Sequence, residues 1–375
     1  MEYTITLTSK CNMKCNYCYQ GLDKANKKMD KKTLQETIDF IFKDNKEKTS
    51  ITFMGGEPLL EKELIIYAVN YIRENYPENV VKYSLTTNCT LLDDEMIEFF
   101  KKYDFEIRAS IDGQETTHLI NRIGRYEYKN ILDNLLKMKE AGVRCGVRMT
   151  VTDNNCQFLM DNIKFFYEND LRDICVGINY LENNSEEFIK KFKLQLEKIE
   201  EFYLEKNKNE ERLCLDIVDG KFIDIFYNDQ KGFAMCQAGE NHLVIDPKGD
   251  IYPCTFVSDD KEFNIGNINE GVNKKRRNKS ILNHIENSEN KCNQCEISVV
   301  CHGMKCAFLN VKCSGFLNVP NNIMCELEKS LYEMNRRIIV KMLKDNNPKT
   351  EKYVKFADEN GYDLNILKEN LSIKI

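Results

Sequence analysis

The chain has 375 residues, 42% hydrophobic and 30% charged, with a formal net charge of −6 and a pI near 5.6. That is the composition of an ordinary globular protein of two or three domains, and its acidic balance excludes a global basic field for nucleic acid or anionic lipid. No apolar run approaches the roughly eighteen residues of a membrane span and MEYTITLTSK lacks a signal-peptide layout, so a cytoplasmic, thiol-reducing setting is expected, in which sixteen cysteines point to metal rather than crosslinks.

Strand-like segments rich in β-branched and aromatic residues are expected at 3–8, 50–54, 80–86, 105–111, 143–151 and 174–181. Helical stretches separate them. Leu34, Ile38 and Ile41 recur at helical spacing after Asp30, the expected N-cap, and Ile131, Leu135 and Met138 do so ahead of Gly142, a C-terminal glycine. Alternating strands and helices imply parallel strands with crossovers, a barrel or an open sheet with its chemistry at the carboxyl ends of the strands. One long charged helix is expected at 185–207. Beyond about 214 the regular period is lost, and eight cysteines crowd into 236–325. There DPKGDIYPC reads as a turn between two short strands, and the basic run NKKRRNK at 273–279 as solvated surface. Leu327, Leu331, Met334 and Ile338 mark a helix ending before Asn347-Pro348, and the last 25 residues are polar and mildly helical.

Directly after the first strand comes TSKCNMKCNYCYQ, with Cys11, Cys15 and Cys18. Three thiols are too many for a disulfide and one short of a closed four-thiolate site. A cubane cluster held by three would keep one iron open to an outside ligand, with Tyr17 placed to shelter it. The bland alternative, a zinc knot, needs four ligands, usually from two cysteine pairs, and no second pair lies nearby. After the second strand comes FMGGEP: Gly55 and Gly56 permit close backbone approach, and Glu57 offers a carboxylate to an ammonium group.

Together the Cys-x3-Cys-x2-Cys loop and the GGEP turn resemble the radical S-adenosylmethionine (SAM) superfamily. The resemblance implies that the open iron chelates the amino and carboxylate groups of S-adenosylmethionine. It also implies that the Gly55-Gly56-Glu57 turn holds the amino group, and that reduction cleaves the sulfonium to a 5′-deoxyadenosyl radical. Weaker matches follow on later strand ends: Thr87 and Asn88, then Ser110 and Asp112 where family members contact the ribose. His118 and Arg122 fall in HLINR, Arg122 as partner of the methionyl carboxylate, and Arg148 is a further candidate. Taken singly, each of these reads as a turn, cap or surface residue.

The later cysteines resemble the SPASM extension of such enzymes, which carries two auxiliary clusters. The resemblance implies an outer cluster on Cys292, Cys295, Cys301 and Cys325. It implies an inner one on Cys236, Cys254 and either Cys306 or Cys313, Cys306 being favoured; the fourth inner ligand is the other of these, His242, or none. CHGMKC departs from the family pattern, with four residues rather than three between Cys301 and Cys306. An inner cluster lacking a ligand could anchor a substrate thiolate, whereas full ligation would leave it an electron relay; paired zinc ribbons are the alternative for the region. The expected fold is thus a partial (β/α)6 radical SAM barrel over 1–184, a bridging helical region over 185–230, a small cysteine-rich α+β SPASM domain over 231–345 and an extension over 346–375. Three [4Fe–4S] clusters and S-adenosylmethionine are the expected cofactors. Cys89, Cys145, Cys156, Cys175 and Cys214 are expected in the core, His284 on the surface and His302 packing the cluster loop.

The resemblance implies a peptide or protein substrate. A peptide maturase, forming a thioether from a cysteine in one version, is favoured over an anaerobic sulfatase-maturing enzyme. In that branch an aspartate base directly follows the inner cysteine of the G-x4-C element, and here the position is Thr255. A non-catalytic iron–sulfur sensor is the reading from another class. Expected partners are a precursor peptide or protein and an electron donor such as a flavodoxin or ferredoxin. Many maturases carry a recognition domain ahead of the first cluster, and with Cys11 so early, leader recognition falls to a separate leader-recognition protein, to strand addition at the sheet edge, or to nothing. Neither nucleic acid nor membrane is expected.

Overall fold

The computed structural model describes residues 1–21, 26–43, 48–182, 185–208, 213–227, 236–286, 291–292 and 294–362. Its strands, in chain order, are β1 (Glu2–Thr8), β2 (Met13–Cys15), β3 (Thr49–Gly55), β4 (Val81–Thr87), β5 (Glu106–Ser110), β6 (Arg122–Gly124), β7 (Arg144–Val151), β8 (Asp173–Ile178), β9 (Cys214–Leu215), β10 (His242–Ile245), β11 (Asp250–Tyr252), β12 (Gly266–Asn267) and β13 (Gly271–Val272). The six expected strands are β1, β3, β4, β5, β7 and β8, each within two or three residues of its expected ends. Contacts divide the chain into two compact units, Met1–Ile111 with His118–Val147 and Cys236–Ile285, and Asp112–Thr117 with Arg148–Met235 and Glu286–Ile375. Each unit therefore gathers separated stretches of sequence.

In the first unit β1 runs parallel to β3, β3 to β4 and β4 to β5, with Ile5 opposite Phe53 and Leu85 opposite Ile107. Tyr3, Ile5 and Leu7 alternate along β1 and are buried, and the rings of Phe53, Tyr83 and Phe105 stack across neighbouring strands. Helices cover this apolar layer. Asp30 caps Lys31–Phe42 by accepting from Thr33 N at 2.7 Å, and Leu34, Ile38 and Ile41 face inward. The helix Tyr128–Glu140 buries Ile131, Leu135 and Met138, and Gly142 follows it with φ +81°, the left-handed turn that favours glycine.

The other side of β1 is taken by β10, again parallel, Tyr3 opposite Leu243 and Ile5 opposite Ile245. From β10 an antiparallel meander continues through β11, β12 and β13. The β10–β11 turn is the expected DPKG: Gly249 N donates to Asp246 O at 2.9 Å, and the Asp246 carboxylate accepts from Lys248 N and Asp250 N. Periodicity did not reveal that a strand expected beyond the barrel would extend the sheet at β1. The basic run 273–279 is exposed as expected, but it forms a helix, Lys274–Asn283, capped by Asn273.

The second unit holds the later part of β7, then β8 and its parallel neighbour β9, among long helices. The expected charged helix spans Glu186–Lys206, capped by Ser185, with Glu186 and Glu187 in its first turn and Lys206 in its last, charges that suit the helix dipole. It packs on Asn322–Lys344, which ends before Asn347-Pro348 as expected. Pro348–Glu359 then forms a further helix, tied down by Lys349 Nζ 2.6 Å from Asp219; residues 363–375 lie outside the described residues. Asp216–Tyr227 is a helix whose apolar residues had suggested no regular period. Val218, Phe222, Ile225 and Phe226 are buried on one face, and the polar residues Asp219, Lys221 and Asp224, buried as well, obscure that period in the sequence. No helix among the described residues is long and apolar enough to cross a membrane.

Candidate functional site

The cysteine loop leaves β1 and lies across the end of β3. Gly56 N donates to Thr8 O and Glu57 N to Lys10 O, both at 2.8 Å. A Cβ on Gly55 would overlap the Thr8 backbone, and one on Gly56 the Lys10 carbonyl. The two glycines thus serve first to let the chain ahead of Cys11 press onto the turn. Cys11, Cys15 and Cys18 line one cavity of about 300 Å³ together with Lys10, Asn12, Lys14 and Leu60, the lysines adding positive charge to a wall that thiolates make negative.

Glu57 departs from expectation. Its carboxylate is buried at 1% exposure and is engaged by the chain itself. Oε1 accepts from Leu59 N at 3.0 Å and Thr87 Oγ1 at 2.8 Å, and Oε2 accepts from Asn88 N at 2.8 Å. It therefore caps the Pro58–Glu61 turn and ties the end of β4 to the end of β3. Asn88 carries that tie onward. Its Nδ2 donates to Asn12 Oδ1 at 2.9 Å and lies 3.9 Å from Cys11 Sγ, while its Oδ1 accepts from Thr90. Asn12, not singled out from the sequence, completes the connection by donating to Thr90 Oγ1.

The HLINR segment is built into the same loop. β2 and β6 form a short antiparallel ladder with Cys15 opposite Arg122, and Asn16 N donates to Asn121 O at 2.9 Å. The Arg122 guanidinium stands 5.4 Å from the Tyr17 ring, and His118 is fully buried between Tyr126 and Tyr128. Ser110 is half-buried at the end of β5. In the second unit, buried Asp112 accepts from Thr150 N at 2.9 Å, and Arg148 donates to Cys175 Sγ at 3.3 Å.

Thr255 follows Cys254 and hydrogen-bonds the Tyr19 hydroxyl. Removal of that hydroxyl from water, reinforced by Cys18 and Cys254, pushes the phenol up to about 12, so it keeps its proton at neutral pH. Tyr19 also packs on Phe256 at 5.1 Å, and the two help line a cavity of about 120 Å³ with Thr255, Asp246, Asp259 and Lys27. Tyr19 was missed in the sequence because one tyrosine beside a cysteine motif carries no periodic signal. His242 has its ring Nε2 2.9 Å from Thr4 Oγ1, while its buried Nδ1 has no hydrogen-bond partner. Cys236 is exposed and Cys254 half-buried in this unit, whereas Cys306 and Cys313 belong to the other.

In the second unit Cys292, Cys295, Cys301 and Cys325 line one cavity of about 70 Å³. Cys301 is clamped from both sides by a buried ion pair that the sequence did not disclose. Lys221 Nζ donates to Val300 O at 2.8 Å and to Glu328 Oε2 at 2.6 Å, and Glu328 accepts from His302 N at 2.9 Å. His302 is more than loop packing, because its ring lies 2.7 Å from Asp224. Loss of water, then the charge of Glu328 and the thiols of Cys301, Cys306 and Cys313, raise the Tyr180 phenol well above its ordinary value, and Cys313 Sγ donates to Tyr180 O at 3.5 Å. Among the other cysteines, Cys89 and Cys156 are core residues, Cys145 and Cys175 are half-buried, and Cys214 is exposed, because short β9 leaves it outside the core. His284 is packed rather than free on the surface, its ring 4.6 Å from Phe263.

No three Cys, His or carboxylate side chains among the described residues converge on a single-ion site. Donor chemistry and spacing fit a multi-iron cluster instead, with soft thiolates around a shared cavity at the loop and again at the quartet. The Radical SAM superfamily model matches residues 5–166, and the SPASM iron-sulfur cluster-binding domain model matches residues 236–296. The chain is a radical SAM protein with a SPASM domain. A protein with this pairing is an enzyme that uses S-adenosylmethionine and iron–sulfur clusters.

This radical SAM protein is 34% identical over 164 residues to an uncharacterized protein of Methanocaldococcus jannaschii, a match covering 43% of the chain and only 56% of that relative. It is 27% identical to a cysteine-type anaerobic sulfatase-maturating enzyme of Clostridium novyi, over 88% of the chain and 93% of the relative. With the antilisterial bacteriocin subtilosin biosynthesis protein AlbA of Bacillus subtilis it shares 24% identity, over 72% of the chain and 57% of AlbA. Among solved structures, anSMEcpe with bound AdoMet is similar at TM-score 0.80 and 21% identity, covering 94% of this chain and 98% of that one. Streptococcus suis SuiB bound to precursor peptide SuiA is similar at TM-score 0.60 and 15% identity, covering 86% and 75%. These two likenesses establish the radical SAM fold.

Proposed function

We propose that this enzyme is a peptide maturase that oxidatively modifies a ribosomally made peptide, forming a thioether from a cysteine in the version we favour. The observation that carries the reading is Thr255 beside Cys254, hydrogen-bonded to a Tyr19 that keeps its proton. Neither group accepts a proton near neutral pH, whereas formylglycine formation in the sulfatase-maturing branch relies on an aspartate at the threonine position.

In this reading Cys11, Cys15 and Cys18 hold the SAM-binding cluster, Cys292, Cys295, Cys301 and Cys325 an outer one, and Cys236, Cys254 and Cys306, with or without Cys313, an inner one. A cluster held by Cys11, Cys15 and Cys18 would supply the electron for reductive cleavage of S-adenosylmethionine. The chain's own contribution is restraint. Asn88 directs an amide toward Cys11, and the Glu57 carboxylate fixes the turn whose backbone faces the amino group. Arg122, stacked on Tyr17, brings a cation toward the methionyl carboxylate. Asp112 and Ser110 are assigned to the ribose side. The remaining partners in this reading are an electron donor such as a flavodoxin or ferredoxin and a separate leader-recognition protein.

Two observations favour a second reading, sulfatase maturation. The Clostridium novyi relative is matched over nearly its full length, and Asp246 and Asp259 line the cavity that Thr255 shares. Mass spectrometry of a co-expressed cysteine-containing peptide separates the two. Loss of two hydrogens without an aldehyde supports the maturase; formylglycine overturns it. The sensor reading requires that the reduced holoenzyme make no 5′-deoxyadenosine from S-adenosylmethionine. We expect production that Cys15→Ala abolishes, while Cys295→Ala spares uncoupled cleavage and stops peptide modification.

A further inference from the structure

We propose that the basic helix Lys274–Asn283 is the docking surface for an acidic electron-carrier protein, an inference that rests on the radical SAM reading of the chain. Its first four residues are Lys274, Lys275, Arg276 and Arg277, and its first turn contains no acid. The N-terminal end of a helix carries partial positive charge, so four cations there oppose the backbone dipole. Arg277 is neutralised by Glu240. Among the described residues, Lys274, Lys275, Arg276 and Lys279 have no acid within ion-pair reach, and all four are exposed. In a chain of net charge −6, uncompensated like charge at the wrong helix end is a local cost that folding does not require.

The helix is held firmly while presenting that charge. Arg277 and buried Ser280 face inward, His284 bonds Ser280 O at 2.8 Å, and its ring rests on Phe263. Outward, Lys275, Lys279 and Leu282 follow at i, i+4 and i+7, and Leu282 is 69% exposed, the highest of the exposed large hydrophobic residues. A small apolar point rimmed by charge is the anatomy of weak, rapidly exchanging interfaces steered by electrostatics, as electron-transfer encounters are. The choice of an electron carrier over an acidic peptide follows from the anchor. Glu240, which holds Arg277, belongs to the same loop as exposed Cys236, and Gly239 in that loop presses against Pro253, next to Cys254. The charged stripe is therefore fastened to the loop bearing Cys236, which packs beside the segment bearing Cys254, two of the assigned inner-cluster thiolates. On docking, the reduced carrier loses one electron and the enzyme's clusters gain it.

The test compares two reductants on the full-length holoenzyme, dithionite and reduced flavodoxin, for the wild type and Lys274→Glu/Lys275→Glu/Lys279→Glu. Glutamates at 274 and 275 suit the helix dipole and position 279 is exposed, so this variant is expected to fold as well as the wild type. We expect 5′-deoxyadenosine formation with dithionite to be unchanged. With flavodoxin it falls about tenfold at low salt, and its decline with rising salt is largely lost. An unchanged flavodoxin rate overturns the proposal, as does a dithionite rate that falls in step. Normal flavodoxin-driven cleavage with loss of peptide modification also overturns it, assigning the helix to the peptide. Absence of 5′-deoxyadenosine from wild type with dithionite would instead remove the underlying radical SAM activity.

Discussion

Lys221 Nζ lies 2.6 Å from Glu328 Oε2, with the two side chains 2% and 3% exposed, and between them they hold both peptide groups that flank Cys301. Removing Lys221 leaves the Glu328 carboxylate buried without its cation and takes away the cation 4.0 Å from buried Asp224. Lys221→Met should cost about 3–5 kcal/mol in denaturant unfolding and lower the iron bound per chain. Lys221→Met/Glu328→Leu should recover most of the stability but not the iron, because the restraint on Cys301 is still missing. A single variant destabilised by less than about 1 kcal/mol would contradict the clamp.

Gly56→Ala tests the close approach of the turn and the cysteine loop. The added methyl group meets the Lys10 carbonyl, so the loop must lift away just ahead of Cys11. The variant should fold, yet reconstitute with about four fewer irons, one cubane's worth. Iron and sulfide assays alongside circular dichroism check this; full iron loading would refute it.

Glu57→Gln keeps the shape of the side chain but turns one acceptor into a donor facing Leu59 N and Thr87 Oγ1, or Asn88 N. Leaving a buried donor without its acceptor should cost about 1–3 kcal/mol. Because the same carboxylate fixes the turn, S-adenosylmethionine binding by calorimetry should weaken about tenfold in parallel. Unaltered stability with weakened binding would instead mean that the carboxylate contacts the ligand directly.

Burial holds the His242 imidazole below its ordinary value of 6.5. Between the folded value and 6.5 the unfolded chain binds the extra proton, so the neutral ring's contribution is fully present above about 6.5 and is lost as the pH falls below it. Anaerobic urea melts at pH 5.5 and 7.5 should show a smaller pH difference for His242→Gln than for the wild type. Equal differences would show that this ring does not titrate on unfolding.

Local patterns were readable in the sequence because their causes are local. Asp30 caps, Gly142 turns, and Tyr3, Ile5 and Leu7 alternate through interactions spanning a few residues, and the three-cysteine loop with GGEP carried the family. What could not be read depends on distant partners. His242 meets Thr4 across 238 positions, and Lys221 meets Glu328 across 107. Glu57 illustrates the intermediate case. The motif identified its place correctly, but only the ends of β3 and β4, brought together, show that its carboxylate serves the chain's own amides.

The parallel pairing of β1 with β10 also has a consequence for biosynthesis. At about 5–20 residues per second, residues 242–245 leave the ribosome on the order of ten to fifty seconds after residues 2–5. Throughout that interval the earliest strand has an open flank of unpaired amides and carbonyls, a template for any stray strand nearby. Correct maturation of this chain thus depends on a nascent edge being shielded until its own late segment arrives.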